Sequence, residues 1–165
     1  MTSFIAELEQ EAAATSRVLA RVPEDRLTWK PHAKSMTLGQ LALHMATIPG
    51  NIARIAVQDH FEVNPATFGK VPQPENCAEI MHAFDTSLTA ARTYLESLTA
   101  ERAEAIFRIT AGDRELTAGP RKGVLRGIMF NHLYHHRGQL SVYLRLLDIP
   151  VPIIYGASAD ESPLR

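Results

Sequence analysis

Residues 125 to 147 read Leu125-Arg-Gly-Ile-Met-Phe-Asn-His-Leu-Tyr-His-His-Arg-Gly-Gln-Leu-Ser-Val-Tyr-Leu-Arg-Leu-Leu147, and the spacing within this stretch decides how the chain folds. At about 100° per residue for a helix, Leu125, Met129, His136, Leu140, Tyr143 and Leu147 all lie within roughly 80° of His132. Arg126, Arg137, Ser141 and Arg145 fall on the far side and read as a solvated face. His132 and His136 therefore point inward, while His135 sits at the edge of the apolar stripe, about 60° away. Side chains four apart on a helix stand about 5–6 Å from each other, so two such imidazoles can converge on one ion at about 2.1 Å. The pattern has a plainer reading too: two core histidines hydrogen-bonded to backbone or carboxylates give the same spacing.

A second helix adds to this pair. Thr37 reads as an N-cap, and the pattern from there to about Gln58 is helical. Leu41, Ile48, Ile52 and Ile55 share one side with His44, which puts a third histidine on an apolar stripe. Burying three imidazoles without partners is costly in unmet hydrogen bonds, whereas one shared divalent cation satisfies all three. Three neutral nitrogens also leave a coordination position open for water or substrate. Within the same helix, Pro49-Gly50 predicts a kink just over one turn after His44, because proline cannot bond to the Met45 carbonyl.

Working outward, Ser3 to Arg21 reads as a first helix, with Phe4, Ile5, Leu8, Ala12, Leu19 and Val22 in helical spacing. Residues 23 to 35 are irregular, with Pro31 disfavouring helix at Lys30. Residues 60 to 74 hold Pro65, Gly69, Pro72 and Pro74 and read as a long loop. Pro74-Glu-Asn opens a third helix to about Leu98. Between Glu104 and Ala118 the pattern shifts to a short hairpin or extended crossover. The final helix runs from about Arg121 to Leu147. The expected fold is all-α: a four-helix bundle over residues 1–165 as a single domain, with that crossover before the last helix. A short extra helix around residues 26 to 36 or 99 to 104 fits the same plan.

Composition narrows the partners. With 17 basic and 18 acidic residues the chain lacks the positive excess that phosphate backbones select, which argues against nucleic acid. No apolar run of some 18 residues is present, so a membrane span is not expected, and the acidic start does not read as a secretory signal; a cytoplasmic location follows. A lone Cys77 excludes an internal disulfide and a thiolate-rich zinc site, so any metal site must use nitrogen and oxygen. His32, His60 and His82 read as solvated, Cys77 as a small apolar filler and Trp29 as a core anchor. Gly127 and Gly138 face away from the histidines and point to close packing against a neighbouring helix, from this chain or a second subunit.

The chain resembles the DinB-like family, also called the DinB/YfiT group. Trp29-Lys-Pro-His32, Ser35-Met-Thr-Leu-Gly-Gln-Leu-Ala-Leu-His44, Asn131-His-Leu-Tyr-His-His-Arg-Gly-Gln139, and Leu144-Arg-Leu-Leu-Asp-Ile-Pro-Val-Pro152 with Tyr155-Gly carry the likeness over nearly the whole length. The resemblance implies a four-helix bundle, often a homodimer, with zinc or nickel bound by three histidines, here His44, His132 and His136. Similar proteins include thiol-dependent S-transferases and a maleylpyruvate isomerase that uses a low-molecular-weight thiol.

Two functions compete. In the first, the metal activates water or a low-molecular-weight thiol against a small-molecule electrophile, as a transferase or hydrolase. Gln139 and Asn131 would then orient ligands, and His135 would shuttle protons. In the second, the metal merely stabilises a non-catalytic stress-response or small-ligand-binding protein, which calls for a fourth protein ligand.

Overall fold

The computed structural model describes residues 2–164, without the side chain of Thr2. Its first helix, α1 (Thr2–Leu19), leads through a short 3-10 turn at Glu24–Arg26 to α2 (Leu38–Ala56). Thr37 and Gln40 form a reciprocal capping box at the start of α2, each side chain meeting the other's backbone N–H. Pro49 lies inside α2, followed by Gly50, whose N–H donates to Ser87 Oγ at 2.8 Å. A Cβ at Gly50 would stand 2.7 Å from the Ser87 Cα, so glycine is what lets α2 and α3 (Cys77–Ser97) approach this closely. Asn76 caps α3 by accepting from the Glu79 N–H.

After the short α4 (Ala100–Glu104) comes a hairpin, one of the two forms expected there, made of β2 (Ile106–Ala111) and β3 (Arg114–Pro120). Gly112 sits in its two-residue turn at φ 58°, in the left-handed region that glycine enters without a Cβ penalty. The hairpin gains a partner in the stretch read as a loop: β1 (His60–Glu62) pairs in parallel with β2, His60 opposite Arg108. Three residues are too few to show a period of two, so this strand is defined by the neighbour it pairs with.

The last helical stretch is continuous but not uniform. It begins as α5 (Arg121–Leu125), passes through π-helical turns at Arg126–Asn131, and continues as α6 (His132–Leu146). A mostly helical fold with a small three-stranded sheet before the last helix results. Its apolar interior has two parts. One gathers Leu38, Leu41, Met45, Phe84, Leu140 and Leu144; the other gathers Leu8, Phe107, Leu125, Met129 and Phe130. Trp29 packs against the first with its ring edge on Tyr143, as a core anchor does. Cys77 is half-buried, its thiol donating to the Val22 carbonyl and pushed up in pKa by burial and by Glu24, in keeping with a filler.

The arginine face needs correcting. Arg137 is buried, its guanidinium on the Glu11 carboxylate and on Thr15 Oγ1, with Tyr155 donating to the same carboxylate at 2.9 Å. Half-buried Arg126 pairs with Glu7 and lies over the rings of Phe4 and Phe130. Only Arg145 is solvated as expected, on Asp160. The far side of the last helix is covered by α1, which brings Glu7 and Glu11 against it. Among the described residues, none stands against Gly127 or Gly138 as the expected neighbouring helix would: a Cβ at either would meet nothing within 4 Å.

Candidate metal centre

Two helices bring three imidazoles to one point. His44 comes from the middle of α2, and His132 and His136 from the first turn of α6 and the turn after it. His132 Nε2 stands 3.3 Å from His44 Nε2 and 2.8 Å from His136 Nε2. One ring nitrogen from each of the three lies within 4.8 Å of the other two, and among the described residues no carboxylate or thiol joins the group. His32, His60 and His82 are all exposed and lie apart from it.

The tautomers follow from the surroundings. His136 Nδ1 donates to Gln139 Oε1 at 2.7 Å, which keeps its proton on Nδ1 and leaves the Nε2 lone pair facing the cluster. The Ile128 backbone bonds to the His132 ring from the π-helical turns, just ahead of that histidine. Burial is the main reason that all three rings resist protonation, and each also feels its neighbours. His44 is pushed down to about 4, first by burial and then by His136 and His132. Three neutral nitrogens with converging lone pairs, and no anion to neutralise a proton, form a donor set that fits a divalent ion.

Of the other residues singled out by sequence, Gln139 joins the site through His136. His135 is exposed, its ring centroid 4.9 Å from that of His136 and outside the converging nitrogens. Asn131 is exposed, and its side chain makes no hydrogen bond to a member of the cluster among the described residues. A feature hidden in sequence is a cavity of about 300 Å³ that has His132 in its lining. It is assembled from α2, the sheet and the π-helical turns, so no single segment signals it.

A pH dependence follows for the metal-free protein. Unfolded histidine takes up its proton near 6.5, while folded His44 does so only near 4, so the unfolded state binds more protons between those values. Stability is therefore complete above about pH 6.5 and is lost as pH falls toward about 4. Urea unfolding with chelator at about pH 7.5 and about pH 5 measures it, and His44→Gln is expected to flatten the slope. Equal slopes in the two proteins would contradict this assignment.

The comparisons agree with this architecture. A family model, that of the DinB family, matches residues 1–163. The uncharacterized protein YrdA of Bacillus subtilis (strain 168) is 26% identical over 160 residues, covering 96% of this chain and 89% of its own. The crystal structure of a DinB-like protein from Bacillus cereus superposes with a TM-score of 0.70 at 24% identity, covering 94% of this chain and 97% of that one. A DinB-like protein of Bacillus subtilis, YjoA, gives 0.68 at 20% identity, covering 92% and 97%.

Proposed function

The chain belongs to the DinB family, and from that premise and the three converging imidazoles we propose that it is a metal-dependent enzyme acting on a small-molecule electrophile. The observation that carries this reading is the cluster itself: neutral nitrogens from His44, His132 and His136, gathered without a fourth protein ligand among the described residues. A purely structural centre would close its coordination with such a ligand. These three residues hold the ion, zinc or nickel, which supplies the Lewis acidity that makes water or a low-molecular-weight thiol nucleophilic near neutral pH.

The remaining roles fall to residues of this chain. Gln139 is a positioning residue: by accepting from Nδ1 it aims the opposite nitrogen of His136 into the cluster. Gln139→Leu is expected to weaken metal affinity about 10–100-fold, measured by chelator competition, and unchanged affinity would contradict that role. His135, exposed beside His136, exchanges protons with solvent. The exposed faces at Gly127 and Gly138 are where a second copy of the chain packs in a homodimer.

The test is a paired rate measurement on zinc- or nickel-loaded protein, with conjugation of a low-molecular-weight thiol to an activated electrophile in one arm and ester hydrolysis in the other. A rate above background in either arm, lost in His132→Ala, is the expected result. Loaded protein that matches His132→Ala in both arms would favour the metal-stabilised, non-catalytic reading.

A further inference from the structure

We infer that the cavity beside His132 receives an uncharged apolar group of the substrate, so that the electrophile handled at the histidine cluster is a hydrophobic compound. This rests on the enzymatic reading above and specifies its substrate class.

The walls come from three elements. Ile52 and Ile55 of α2 form one side, Ile109 and Leu116 of the sheet another, and Ile128 enters from the π-helical turns. Turns of that kind are enriched at functional sites, and here they run directly into His132. A volume of about 300 Å³ lies at the small end of ligand pockets, enough for a short alkyl chain or one ring.

Charge selects the occupant. The lining contains no Asp, Glu, Lys or Arg, and its polar side chains are Thr117 and His132 alone. An ionic group placed there would lose water and gain no counter-charge, a cost that an alkyl or aryl group does not incur. The mouth is apolar as well. Phe68, 69% exposed on the loop after β1, and Leu116, 41% exposed on β3, both stand at the cavity, leaving apolar surface in water that a hydrophobic ligand would cover. His132 is the one lining residue shared with the cluster, so a ligand seated here presents its reactive end to the imidazoles.

The experiment is fluorescence titration of the metal-loaded full chain with the neutral one-ring probe 4-(dimethylamino)benzonitrile, followed by displacement with straight-chain alcohols and with carboxylates of equal length. Each added methylene is expected to strengthen displacement by an alcohol about fourfold until the cavity is filled, with carboxylates at least about tenfold weaker. Leu116→Glu and Phe68→Glu, both at exposed positions, are expected to weaken the probe about tenfold or more while metal content stays that of wild type. Absent probe binding, carboxylates as effective as alcohols, or unchanged affinity in both variants would each overturn the proposal. So would a drop in molecular mass in Leu116→Glu, since a second copy of the chain would then be the occupant. Repeating the titration on chelator-treated protein separates the two readings. Probe binding without any capacity for metal sinks the enzymatic reading and leaves the cavity; metal without probe binding does the reverse.

Discussion

Replacing His132 with alanine is expected to weaken divalent-metal binding by at least about a hundredfold, more than the loss of a supporting hydrogen bond costs. His132 is the shared vertex of the cluster, with its Nε2 within 3.3 Å of one histidine nitrogen and 2.8 Å of the other. Without it, His44 and His136 face each other across the gap from different helices, and the donor set falls from three to two. His135→Ala is the matched control: it removes an adjacent imidazole that lies outside the convergence, and affinity is expected to hold within a few-fold. Chelator competition measures both. An affinity for His132→Ala within about tenfold of wild type, or a parallel loss in His135→Ala, would contradict the assignment.

The second large effect is on stability. Arg121 is fully buried at the junction of α2, α4 and the hairpin. Its Nε donates to the Ala56 carbonyl at 3.0 Å, and its two terminal nitrogens to the carbonyls of Arg102 at 2.7 Å and Gln58 at 2.8 Å. A charged bond to Asp59 at 2.7 Å completes the set, and Arg121 and Arg102 hold that carboxyl below the usual carboxylate range. Placed at the C-terminal end of α2, the cation also meets the negative end of the helix dipole. Arg121→Met keeps most of the volume but leaves three carbonyls without this donor. A loss of about 3–5 kcal/mol is expected, a fall of roughly 6–20 °C in Tm for a chain of this size. A shift of less than about 2 °C in calorimetry would show that water replaces the guanidinium without penalty.

How much of this was legible depends on where each signal resides. The cap at Thr37 and the change of pattern between Glu104 and Ala118 are local, and both were readable, though a hairpin and an extended crossover stayed open there until the structure showed the turn at Gly112. The convergence of His44, His132 and His136 was readable because their helical phases could be compared with those of the apolar residues around them. The π-helical turns were not. They insert a residue into a periodicity that had been carried straight through from Leu125 to Leu147, and the change costs no apolar position because both Leu125 and Met129 remain buried. Arg137 was misread for a related reason: helical phase tells which way a side chain points, not whether another helix lies there with a carboxylate. Arg121 gave no signal at all, since its partners are carbonyls at positions 56, 58 and 102 that no pattern around residue 121 specifies. The cavity beside His132 is nonlocal in the same way, one wall resting on a three-residue strand that exists only through its pairing with β2.

Among the described residues no helix is long and apolar enough to cross a membrane. The two functional readings differ in what happens at the histidines and in the cavity beside them. Both require the cluster to hold a metal. Elemental analysis of untagged protein, purified without chelator, tests that requirement directly. The account predicts one equivalent of zinc or nickel per chain in wild type and almost none in His44→Ala, His132→Ala and His136→Ala. Wild-type protein that purifies without metal and takes up neither zinc nor nickel when they are added would contradict it.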